Sequence, residues 1–102
     1  MLKMLRVTGQ SLAPEYNEGD FVLIAKIPFL YNQLQNDDVI VFQHPTYGVM
    51  IKKIASIGQQ GEEIFVIGVH DNSVDSRSFG SIKRADVLGK VVWHIRKPIG
   101  FH

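Results

Sequence analysis

A serine stands near the start of the chain in the stretch Val7-Thr8-Gly9-Gln10-Ser11-Leu12-Ala13-Pro14, a Gly-x-Ser-x-x-Pro turn. Gly9 gives the backbone beside Ser11 unusual freedom, and Pro14 stiffens the exit. Such a turn can be plain backbone punctuation. It can also mount a nucleophile whose own N–H faces the carbonyl that its hydroxyl attacks, half of an oxyanion hole. The second use needs a base. None of the four histidines suits that task. His44 sits in the turn Gln43-His44-Pro45-Thr46-Tyr47-Gly48, His70 begins a loop, His94 lies in a terminal strand and His102 ends the sequence. Turn, capping or surface roles are expected of them, and their spacing gives no zinc-ligand pattern. Cysteine is absent, which excludes disulfides, thiolate sites and a cysteine nucleophile. No metal and no other cofactor is expected.

Lysine is the remaining base. Val49-Met50-Ile51-Lys52-Lys53-Ile54 carries two lysines inside an otherwise apolar strand. Alternation sends them to opposite faces, so one meets a given site while the other reaches water. A free lysine, with a pKa of about 10.4, is protonated at neutral pH and accepts no proton. Desolvation by apolar neighbours depresses that value by up to about 3–5 units. A depression of about three units costs roughly 4 kcal/mol, which a small domain can bear. A lysine snorkelling from a sheet edge is the plainer reading of the same strand.

The third element is the stretch from Val69 to Gly80, Val-His-Asp-Asn-Ser-Val-Asp-Ser-Arg-Ser-Phe-Gly. As a polar loop it caps backbone groups with its Asp and Ser side chains. Ser73, Asp75 and Arg77 also alternate, so in an extended stretch they share a face. There Asp75 and Arg77 make a charge-assisted pair beside a buried amine. Ser73 is placed to hydrogen-bond the lysine and aim its lone pair at Ser11.

The elements that must position these groups are strands. Phe21–Ile27, Asp38–Phe42, Gly48–Ile57, Glu62–Gly68 and Val87–Ile95 are rich in Val, Ile and Phe and are bounded by Gly, Asn, Asp or Pro. No apolar period of 3.6 residues persists beyond two turns. These strands predict a mostly β fold in which coiled antiparallel sheets form a partly open barrel. At 102 residues the expectation is one domain over 1–102. With 45% apolar residues, 21% charged residues and a net charge of +1, nothing points to nucleic acid. No signal-peptide run opens the chain and no window is apolar enough to span a bilayer, so a cytoplasmic protein is expected. The loop Ile27–Leu34 carries Phe29, Leu30 and Tyr31 beside a proline. It reads as a core-filling crossover or as an apolar lip that meets a substrate or the periphery of a membrane.

In this order the stretches resemble the signal peptidase I family of Ser/Lys-dyad endopeptidases, whose fold is shared with the LexA-like self-cleaving repressor domains. Gly9 to Pro14 with Glu18 to Lys26 is similar to the nucleophile box and the strand after it, and Gln35 to Pro45 to the second box. Ile51 to Glu63 is similar to the box bearing the general-base lysine, and Asp71 to Gly80 to the last box. Together they cover roughly residues 7–95. The resemblance implies that Ser11 is the nucleophile, Lys52 the general base and Lys53 its outward neighbour. It implies that Ser73 orients Lys52 while Asp75 and Arg77 hold the loop against the site. A hydroxyl that some members add to the oxyanion hole falls at Gly9 here. Leu12 stands for the usual methionine, and Val69-His70-Asp71-Asn72 departs from the family's Gly-Asp-Asn opening. Neither the anchor nor the accessory β-domain of the bacterial enzyme is expected here. The expectation is therefore a short, anchor-free relative, similar to the nickel-type superoxide dismutase maturation proteases, which remove an N-terminal leader from a partner protein. The substrate is expected to lie extended along a strand edge. Two alternatives use the same residues: a self-cleaving regulatory domain, and a module that binds peptides without cutting them.

Overall fold

A computed structural model of the chain describes residues 2–7, 16, 18–26, 34–68 and 74–96. Seven strands form one antiparallel sheet: β1 (Leu2–Arg6), β2 (Phe21–Ala25), β3 (Val39–His44), β4 (Gly48–Ile57), β5 (Glu63–Ile67), β6 (Ile82–Lys83) and β7 (Val87–Ile95). A single helical turn, α1 (Ser76–Phe79), precedes β6, and a 3-10 turn, Arg84–Asp86, precedes β7. The strand order is β1-β2-β7-β3-β4-β5-β6. This is the expected mostly β, antiparallel class. Among the described residues the sheet does not close, since β1 and β6 remain its two edges.

β3 lies at the centre between β7 and β4, and its run Val39-Ile40-Val41-Phe42 is buried on both faces. Alternation then splits the core in two. Ile40 and Phe42 join Leu34, Ile54, Ile64, Val66, Ile82 and Val87 on one face. Val41 joins Val7, Val22 and Ile24 on the other, with Ile51, Leu88 and Val91 packed against them. β4 contributes to both layers, so its lysines are sorted by the same rule that sorts its isoleucines. The turn leading into β3 is tied to β4 as well. Asp37 N–H donates to the Ile54 carbonyl and Ile54 N–H donates to the Asp38 carbonyl, each at 2.8 Å. Asp37 itself is left-handed, with φ of 74°, a conformation that aspartate tolerates better than most residues.

Gly89, opposite Val41 on β7, lies tightly against β2. A Cβ there would lie 3.1 Å from the Ala25 carbonyl oxygen and 3.1 Å from Ile24 Cβ and Cδ1. Gly89→Ala is therefore expected to lower stability by about 1–3 kcal/mol through overpacking. Urea midpoints check this, and an unchanged midpoint would show that β2 yields without cost.

Candidate active site

Lys52 stands opposite Ile40 of β3 and two residues before Ile54, so its side chain enters the face of the sheet that carries the larger apolar cluster. It is 1% exposed. Lys53 takes the opposite face and is only half-buried. The cost of bringing an ammonium into an apolar layer appears directly in its ionisation. Burial pushes Lys52 below the ordinary lysine value of 10.5, Asp75 pulls it back up, and Arg77 pushes it down again.

Asp75 is held by a shortage of strand. β5 pairs with β6 only at Glu63 and Ile64, and further along its outer edge there is no ladder partner among the described residues. Side chains from the loop supply the missing acceptors. Val66 N–H donates to Ser76 Oγ at 2.8 Å, and Gly68 N–H donates to Asp75 Oδ2 at 2.9 Å. Asp75, also 1% exposed, accepts from the Arg77 N–H at 3.0 Å, from Arg77 Nε at 3.0 Å and from Arg77 Nη2 at 2.7 Å. Burial alone would raise this carboxyl. The hydrogen bonds from the Arg77 side chain and from the Gly68 and Arg77 amides outweigh it and hold the pKa at about 2, against an ordinary 3.8.

The loop reaches this pairing by a route that alternation did not anticipate. Asp75 is extended (φ −148°, ψ −165°), but the chain then turns at once into Ser76–Phe79, with Asp75 as the N-cap. Arg77 thus meets Asp75 by closing a turn, not by sharing a strand face. The capping sequence Asp-Ser-Arg-Ser-Phe-Gly carries the signal for this turn, an aspartate before it and a glycine after it. Ser76, which sequence reasoning passed over, is the residue that fastens the turn to β5.

His94 is a second correction. It was expected at a turn or surface, yet its Nε2 lies 2.7 Å from Oδ2 of the buried Asp20. Their separation of 74 positions explains why no local pattern signalled the contact. His44 does cap a turn, accepting at Nδ1 from the Thr46 and Tyr47 amides at 3.0 and 3.3 Å. Gly9, Ser11, Ser73 and the Phe29–Tyr31 lip lie outside the described residues. Among the described residues no group of three His, Asp or Glu side chains is placed to hold a metal ion. No described helix is long and apolar enough to cross a membrane.

The profile of the Peptidase S24-like family matches residues 1–92. Signal peptidase I V of Bacillus subtilis (strain 168) is 32% identical over 59 residues, which are 58% of this chain and 34% of the relative. The chain thus matches about a third of that relative's length. A protein named inactive signal peptidase IA, from Staphylococcus aureus (strain Mu50 / ATCC 700699), is 24% identical over 128 aligned residues, covering 83% of this chain and 74% of its own length.

Two buried charges make two opposite pH signatures. Asp75 has a depressed folded pKa, so its contribution is complete above 3.8 and is lost as pH falls towards 2. Between about pH 5 and 2, wild type should lose about 2 kcal/mol more than Asp75→Asn in urea unfolding. Lys52 has a folded pKa below its unfolded one, so it costs stability at neutral pH, and the cost fades as pH rises towards 10.5. Lys52→Met should therefore stabilise the fold at neutral pH, raising the urea midpoint, with the gain shrinking in alkali. A loss of stability in that variant would mean that the amine is well paired rather than merely desolvated.

Proposed function

The chain belongs to the Peptidase S24-like family, and on that premise we propose that it is a serine endopeptidase with Ser11 as nucleophile and Lys52 as general base. The observation that carries this reading is the burial of Lys52, which pushes its pKa down and so favours the neutral amine that a serine needs as its base. Likeness to signal peptidases does not by itself bring activity, since one relative is named inactive. The weight therefore rests on this chain's own serine and lysine.

In the proposed reaction neutral Lys52 takes the Ser11 hydroxyl proton while Oγ attacks the scissile carbonyl carbon. The resulting oxyanion is met by the Ser11 N–H. The lysinium gives its proton to the leaving amine as the C–N bond breaks, and an acyl ester remains on Ser11. The neutral amine then draws a proton from water, the hydroxide attacks the ester, and the proton returns to Ser11 Oγ as the acid product leaves. Ser73 orients the amine, and Asp75 with Arg77 holds the loop. The substrate is a partner protein whose N-terminal leader lies extended against a strand edge, its main chain supplying affinity. A metalloenzyme precursor of the nickel superoxide dismutase kind fits this description.

Purified protein should shorten such a precursor, and Ser11→Ala or Lys52→Ala should abolish cleavage while Lys53→Ala leaves it within roughly threefold. Loss in Lys53→Ala with retention in Lys52→Ala would overturn the assignment of the base. Fragments of the chain itself, formed with no partner present, would identify the self-cleaving alternative, and peptide binding without cleavage the binding module. The rate should rise with pH as Lys52 loses its proton, with a midpoint below 10.5. Arg77→Gln removes a cation that opposes the ammonium and frees the Asp75 charge, so it should move that midpoint to higher pH. A midpoint that stays in place would remove Arg77 from the tuning of the base.

A further inference from the structure

The chemistry above leaves unused the pairing of a buried Asp20 with the part-buried His94. Asp20 is 2% exposed, and its Oδ2 contacts His94 Nε2 on β7 at 2.7 Å. The His94 side chain is 16% exposed, and Tyr16 stacks on its ring with centroids 4.2 Å apart and planes inclined by 23°. The main chain converges on the same point. Val7 N–H donates to the Asp20 carbonyl at 2.7 Å, and Gly19 N–H donates to the Val7 carbonyl at 2.9 Å. Val7 lies four positions before Ser11 in the sequence, and Tyr16 five positions after it. A single imidazole therefore takes Tyr16 on its face and, on its edge, the residue whose backbone is bonded to Val7.

We propose that Asp20 and His94 are positioning residues, which hold Val7 and Tyr16, on either side of Ser11 in the sequence, in place against β7. A buried carboxylate is retained only where donors satisfy it, and the imidazole edge supplies one. Fastening β2 to β7 does not require this pair, because the backbone ladder already runs from Phe21 opposite Ile95 to Ala25 opposite Lys90. That ladder includes neither Tyr16 nor Asp20. With its Nε2 edge on Asp20 and its face under Tyr16, His94 is arranged for holding rather than for proton transfer. The kinetic consequence rests on the Ser/Lys reading above, whereas the structural one does not.

The test uses His94→Gln, which keeps a donor but loses the ring, and Asp20→Asn, which keeps the shape but loses the charge. Each is compared with wild type by cleavage kinetics, melting temperature and 15N amide spectra. Both variants should melt close to wild type, keep KM within roughly twofold and lose about 10- to 100-fold in kcat, since a displaced nucleophile slows chemistry more than binding. Amide signals of residues 8–16 should move while those of β4 and β5 stay. An unchanged kcat in both variants, or a fall in kcat that only follows a fall in melting temperature, would overturn the proposal. If wild type itself cleaves nothing, the Ser/Lys reading fails and the spectra alone decide. Displaced signals at residues 8–16 with those of β4 and β5 unmoved then uphold the positioning role, and unmoved signals at residues 8–16 refute it.

Discussion

An amine buried in an apolar layer is the constraint on which the candidate site depends. Full burial depresses a lysine by up to about 3–5 units, whereas one opposite charge nearby restores about 1–3. Desolvation therefore wins at Lys52, as its lowered pKa shows. The layer that enforces it is assembled from distant parts of the chain. Ile40 faces Lys52 across β3, Ile54 follows it on β4, and both are fully buried. Without the central position of β3 in the sheet, that amine would reach water and lose the desolvation that lowers its pKa.

The Asp75 loop is where this balance is set. A bare carboxylate beside Lys52 would favour the ammonium and cancel part of the desolvation. Arg77 opposes this by partnering Asp75 and by repelling the ammonium. The side chain of Arg77 is 68% exposed, so its own end of the pair is screened by solvent and adds little to stability. Its effect is better read as electrostatic tuning and loop placement. Asp75 and Ser76 also cover the outer edge of β5, so the same two residues finish the sheet and shape the site. Structure and proposed chemistry share their parts here.

Much of the scaffold was legible in the sequence because β-branched runs between turn residues leave few alternatives. Gly48–Ile57 and Val87–Ile95 form with the bounds their composition suggested, and Phe21, Val39 and Glu63 begin strands close to the expected starts. β1 was not visible. Leu2-Lys3-Met4-Leu5-Arg6 consists of good helix formers and is a strand only because β2 offers it a ladder. β6 has two residues, too few for any periodicity, and exists through its pairing with β5. At the site, alternation separated Lys52 from Lys53, but which of them is buried depends on which face carries the larger cluster. The one-turn helix carried its caps in plain view, yet an extended reading of Asp75 and Arg77 hid it. The Asp20–His94 contact lay beyond any local pattern, because β7 reaches β2 only after the whole sheet has been wound.

The most direct measurement is the titration of the Lys52 side chain itself, followed through its 13Cε and 15Nζ signals, assigned by their loss in Lys52→Met. The account predicts a midpoint clearly below 10.5, distinct from those of the surface lysines, and displaced upward in Arg77→Gln. A Lys52 that titrates at or above 10.5 would contradict it, because the amine would then remain charged wherever the protein is folded and could not serve as a base.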